Sequence, residues 1–205
     1  LVRCSDYVLE PGIKTVMGIE GHCLIRISDN GLEPNQLQVV MPTSYATANF
    51  TDATTCLIPA NEWTHIAVTC DVGTGHLVVY INGETVLDKT GNQFVPVNLG
   101  QPKADAQQKD HFFHIGYSYA AGRELHGEIC EVRIWNTVRT QEQIAANVYE
   151  VDPASEGLVA YWKFDEGSGE TIRDHTGNNN SGSAHETLKW NQVSLPEAPS
   201  GDGDN

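Results

Sequence analysis

The sequence predicts an all-β fold, a two-sheet antiparallel sandwich with one short helix. Three observations predict it. First, short runs alternate with a period of two, most clearly in residues 126–136. There Cys130, Val132 and Ile134 point one way and Glu131, Arg133 and Trp135 the other, the pattern of a strand with one buried face. Second, turn signals punctuate these runs, above all Asp29-Asn30-Gly31 and Asn82-Gly83, because Asn and Gly tolerate positive φ. Third, only residues 140–148 carry helical spacing. Many short strands with a single small helix bury their apolar faces best as two packed layers.

Taken in order, residues 1–4 open inside a strand, and 14–21 and 22–28 form two β segments about Gly21. In the second, Cys23, Ile25 and Ile27 share a face. Residues 36–41 return as a strand, followed by a short polar strand at 47–50. Ile66, Val68 and Cys70 make the apolar face of a strand over 64–71. The run 76–81 pairs back on it, and Asn82-Gly83 turns the chain into 84–87, a three-strand meander. Residues 91–108 are polar and aperiodic, the mark of a long loop, and such loops are often functional. A strand follows at 112–117, then the strand at 126–136. Thr140 suits an N-cap and Ile144 and Val148 share a helix face, so 140–148 is the helix. Asp152-Pro153 ends it. Residues 157–164 form another strand, 171–173 pair locally, 174–182 are an Asn/Gly-rich loop, and 184–190 close one more strand.

The whole of 1–195 is expected to be one sandwich, with 196–205 a disordered acidic tail too polar to pack. A chain of 205 residues can bury a core without disulfides or metals. Its formal charge of −15 repels phosphate backbones, and basic stripes are missing, which excludes a nucleic-acid partner. No apolar run approaches the ~18 residues that would span a bilayer. The opening Leu1-Val2-Arg3-Cys4 has no methionine, and the chain is expected to be a piece of a longer protein. The five cysteines (4, 23, 56, 70 and 130) lack zinc or CxxC spacing. Cys23, Cys70 and Cys130 fall in phase with apolar neighbours and read as small buried hydrophobes, with a disulfide possible but unassignable.

Several motifs carry a resemblance. Residues 61–69 (NEWTHIAVT) and 79–83 (VYING) resemble the central hairpin of laminin-G-like modules. Ile115-Gly116-Tyr117, Gly122-Arg123, Gly127, then 131–136 (EVRIWN) and Arg139 look like their closing strand and short helix. The resemblance covers roughly residues 14–148 and implies the concanavalin A-like jelly roll shared by lectins, pentraxins and glucanases. Residues 157–167 (GLVAYWKFDEG) are also similar to laminin-G-like sequences, where this segment commonly opens a module. Here it either completes the sandwich, the favoured reading, or forms a small appended β unit. The arrangement is similar to C-terminal modules of surface lipoproteins from glycan-foraging bacteria. That implies an extracellular or cell-surface location, with other domains of a longer chain as partners.

Chemistry narrows the function. A glycoside hydrolase needs two carboxylates facing one groove. The Glu-x-Asp-x-x-Glu-type strand motif of the superfamily's retaining glucanases is missing, and Glu128 and Glu131, three apart, fall on opposite faces of a strand. No GxSxG elbow or cysteine-protease signature is present. His111 and His114 are likewise three apart, so joint metal ligation would need a bulge. The resemblance implies a structural calcium at the sandwich rim; Asp165, Asp174 and Asn178 are its candidate ligands, although turns favour the same residue types. Sugar binding needs an aromatic platform with polar neighbours. Tyr45, Tyr117, Tyr119 and Arg123 lie on loops and are the candidate ligand-binding residues. Trp63, Trp135 and Trp162 are expected to pack between elements, and Arg123 and Arg133 to have ion-pair partners among Glu124, Glu128 and Glu131. The expected function is a non-catalytic carbohydrate-binding or adhesion module with a glycan or glycoprotein partner. The alternative is a structural or protein-interaction domain without a sugar site, with glycoside hydrolase a distant third.

Overall fold

The structure is a computed structural model that describes residues 1–5, 7, 12–44, 47–97, 103–104, 110–117 and 121–195, with 103–104 and 110–111 described by backbone alone. In chain order the first strands are β1 (Val2–Cys4), β2 (Lys14–Ile19), β3 (Cys23–Ile27), β4 (Leu37–Pro42) and β5 (Thr47–Phe50). Next come β6 (Ile66–Asp71), β7 (His76–Ile81), β8 (Glu84–Lys89), β9 (Lys103–Ala104), β10 (Asp110–His111) and β11 (His114–Ile115). The chain continues through β12 (Gly127–Ile129), β13 (Val132–Trp135), α1 (Gln141–Ala145), β14 (Leu158–Trp162), β15 (Thr171–Ile172) and β16 (Gly182–Ser183).

A five-stranded sheet of order β11-β2-β3-β4-β5 faces the meander β6-β7-β8, and all of these pairs are antiparallel. Alternation decides which side chains meet: Ile27, Leu37, Val39 and Phe50 from the first sheet join Leu77, Val79 and Leu87 from the second in one buried cluster. The residues of β7 in between, Val78 and Tyr80, face outward and are covered by Ile144 of α1. This is the two-layer sandwich that the alternation predicts, with the helix laid over the outer face of the meander.

The helix is short because little beyond its cap and Ile144 holds it. Thr140 accepts the Gln143 N–H, and the Gln143 side chain accepts the Thr140 N–H, a reciprocal capping box. Replacing Thr140 by Ala should cost about 1 kcal/mol, a drop in melting temperature readable by circular dichroism.

Four details differ from the sequence reading. The run 126–136 is two strands rather than one: β12 pairs with β1, β13 pairs with β14, and Glu131 between them turns left-handed at φ 55°. The strand expected over 112–117 is only β11, because Gly116 turns at φ 67°. Residues 184–190 form a turn instead of a strand, and the closing pair is β15 with β16. Arg123 pairs with Glu20 at 3.0 Å, whereas Arg133 does pair with Glu131 at 2.8 Å.

The five cysteines form no disulfide and are buried or half-buried, as small hydrophobes in the packing. Burial pushes Cys70 and Cys130 up to about 11.

Candidate functional site

A cleft of about 560 Å³ opens where β2, β6, β13 and the loop before α1 meet. Such volumes suit a small organic ligand. Its walls are largely apolar, with Met17, Val68, Phe113 and Val138 among them, and Val138 is 55% exposed. Asn136 and Gln143 supply amide groups among the lining residues. Trp135 projects from the end of β13, where a bulge beside Ile134 shifts the register against β14. Part of Trp135 packs on the cluster of Val151, Leu158 and Tyr161, and the Arg139 guanidinium lies 4.2 Å from its ring centroid. That contact is a cation–π pair on an accessible loop.

Among the described lining residues the cleft has a single carboxylate, Glu131. It is tied down on two sides, accepting from Arg133 Nη2 and from the Tyr161 hydroxyl. Both ion-pair side chains are nearly closed to solvent, at 7% for Arg133 and 11% for Glu131. The Tyr161 ring, fully buried, has the Arg133 and Lys163 cations 5.2 and 5.3 Å from its centroid. Burial and the Glu131 carboxylate push the Tyr161 phenol well above its ordinary pKa. His65 also lines the cleft; burial holds its imidazole neutral, down at about 3.

The sequence-predicted binding residues are only partly brought together. Tyr45 and Tyr119 lie outside the described residues, as does the His111 side chain. Tyr117 stacks on His185 with ring centroids 4.3 Å apart, and His114 meets it edge-on at 5.5 Å. Arg123 is held in its ion pair with Glu20. Neither Tyr117 nor Arg123 is among the residues lining the cleft. The tryptophans pack as expected: Trp162 is buried beside Phe113 and donates Nε1–H to Asn180 O at 2.8 Å, and Arg3 sits over Trp63.

The candidate calcium ligands do different work. Asp174 Oδ1 accepts from the backbone N–H of Tyr161 and Thr176, and Oδ2 from that of Asn180, with the Thr176 hydroxyl between them. Burial pushes this carboxyl up, but those N–H and O–H donors outweigh it and hold the pKa below the usual range. Asn178 turns its Nδ2 toward the Leu158 and Val159 carbonyls. Asp165 lies beside His175 at 3.2 Å. A hard cation needs converging free oxygens. Asp174 and Asn178 instead staple the 174–180 loop onto β14, so this trio does not fit calcium.

Sequence reasoning missed Arg139 as a cleft residue, Tyr161 as a partner of the cleft carboxylate, and the proximity of Glu166 and His175 to Asp165. Adjacency in sequence was the only available signal, Asp165-Glu166 and Asp174-His175 flanking one turn region. Their convergence depends on how β15 folds back.

No curated protein matches the sequence. A solved structure from Bacteroides ovatus, a "putative carbohydrate binding protein", is similar, with a TM-score of 0.68 and 29% identity. The likeness covers 93% of this chain and 54% of that one, so the chain spans about half the length of its neighbour. The family described as concanavalin A-like lectin/glucanases superfamily matches residues 12–145. That span holds both main sheets and most of the cleft walls, and the chain belongs to the concanavalin A-like lectin/glucanases superfamily.

Proposed function

We propose that the chain is a non-catalytic carbohydrate-binding module, and that the cleft beside Trp135 and Arg139 takes the glycan. The observation that carries this reading is the cleft's make-up: apolar walls and amide groups around the one carboxylate among its described lining residues, already engaged by Arg133 and Tyr161. Sugars offer C–H faces to apolar walls and hydroxyls to amides and guanidinium groups. Hydrolysis would need a second carboxylate facing the first, with both free to exchange protons. The Bacteroides ovatus neighbour supports the substrate class. Its greater length supports a module within a larger protein; a cell-surface location and a glycan or glycoprotein partner belong to the same proposal.

A glycan array on the purified chain, run with and without calcium, tests the reading. Replacing Arg139 by Ala should weaken any glycan hit about tenfold, and change stability by only about 1 kcal/mol because half-buried Arg139 contributes a single cation–π contact outside the main core. Failure of every glycan to bind would sink the proposal. Release of reducing sugar from a bound oligosaccharide would overturn its non-catalytic part. The Tyr117–His185 stack is the second candidate location; a binding loss in Tyr117→Ala with Arg139→Ala unaffected would move the site there.

A further inference from the structure

Outside the cleft, the turn after β14 brings together Asp165, Glu166 and His175, whose ligand atoms all lie within 4.8 Å of one another. Each of the three is set in place by an interaction of its own backbone or side chain. The His175 N–H donates to Tyr161 O at 2.8 Å, extending the pairing in which Trp162 lies opposite Asp174. The ring sits near Tyr161, with centroids 6.1 Å apart. Glu166 is aimed by the Arg173 N–H, which donates to Oε1 at 2.7 Å and leaves Oε2 turned away. Phe164, left-handed at φ 62°, swings Asp165 and Glu166 out of the strand direction.

A second, independent observation points to a ligand. Glu166 Oε2 and His175 Nε2 are both shut off from solvent, and neither makes a hydrogen bond. Nε2 faces Asp165 Oδ1 at 3.2 Å, close enough for an ion pair if the ring is protonated but without hydrogen-bond alignment. A buried polar atom without a hydrogen-bond partner is costly, and two in one cluster call for an explanation. The Asp165 side chain is half exposed and leaves a path inward.

We propose that Asp165, Glu166 and His175 form a binding site for a divalent transition-metal ion of zinc type. One imidazole nitrogen with two carboxylates is a borderline donor set, which suits zinc better than calcium, whose ligands are all oxygen. Zinc bonds to N and O are about 2.0–2.2 Å. The half-exposed Asp165 side chain has room to turn toward an ion, and water would complete the coordination. The ion would satisfy both orphaned atoms and offset the two adjacent negative charges. It would also clamp the 164–175 turn to β14. This inference is independent of the glycan reading.

Isothermal titration of the tag-free chain with zinc chloride tests it, with calcium chloride as the parallel arm. The expected result is one zinc per chain, a higher melting temperature with zinc, and weaker or no heat with calcium. Glu166→Gln, which keeps the acceptor for the Arg173 N–H, and His175→Asn should each weaken zinc at least about tenfold. His76→Ala, a histidine outside both candidate sites with its side chain 41% exposed, should leave the affinity unchanged. If His175→Asn fails to fold, Glu166→Gln decides alone. The proposal falls if the wild type takes up no stoichiometric zinc, or if Glu166→Gln binds as tightly as the wild type. Calcium binding tighter than zinc would overturn the assigned metal class.

Discussion

Replacing Glu131 by Ala is expected to destabilise the domain by about 3–5 kcal/mol, because it leaves the Arg133 charge without a counter-ion in a nearly closed environment, with only its hydrogen bond to the Asn147 carbonyl still in place. The loss is aggravated by Arg133 Nε, already buried without a partner, and by the Tyr161 hydroxyl, which donates to the same carboxylate. A backbone effect can be separated from the charge effect. Glu131 is left-handed, which a Cβ disfavours and glycine does not. Glu131→Gly should therefore be less destabilised than Glu131→Ala, by ~1 kcal/mol. Urea unfolding of the two variants measures the difference. Equal stabilities would show that the left-handed turn carries no strain, and a loss below about 1 kcal/mol in both would mean the ion pair is dispensable.

Asp174→Asn is the second large effect. The carboxylate accepts three backbone N–H groups and one hydroxyl from two segments, β14 and its own loop, and an amide must turn an NH2 toward some of those donors. A loss on the order of 3 kcal/mol follows from the donors left unsatisfied. The pH dependence has a definite sign. The folded pKa of Asp174 lies below its unfolded value, so its contribution is complete above the ordinary carboxylate pKa of ~3.9 and fades as pH falls through the folded value. The stability gap between wild type and Asp174→Asn should accordingly be constant from about pH 5 upward and narrow in stronger acid. Chemical denaturation at several pH values reads this directly. A gap that widens on acidification would contradict the assigned hydrogen bonding.

Both predictions centre on residues whose importance is invisible along the chain. Glu131 lies in the most regular alternation of the sequence, and its neighbours Val132 and Ile134 do pack inward with Ala160 and Trp162. The alternation alone cannot show that a buried charge pair breaks the strand at that point. Asp174 reads as a turn residue and a candidate calcium ligand; its role in holding the loop is not legible there, since its partners come from β14, thirteen residues earlier, and from its own loop. The candidate site was legible in the same uneven way. Arg139 and Trp135 stand four apart, but only the register shift in β13 and the fold of the following loop stack one on the other.

By itself the sequence determined the class of fold, the meander, the cap of the helix and the sorting of apolar faces. These follow from local rules, the period of two and the conformational tolerance of Asn and Gly, which operate within a few residues. The tertiary structure decided where the 126–136 run breaks, which partner Arg123 takes, where the cleft opens and which acids meet His175. Each of those depends on contacts between segments far apart in the chain, whose geometry is set by burial and charge pairing once the sheets have closed on one another.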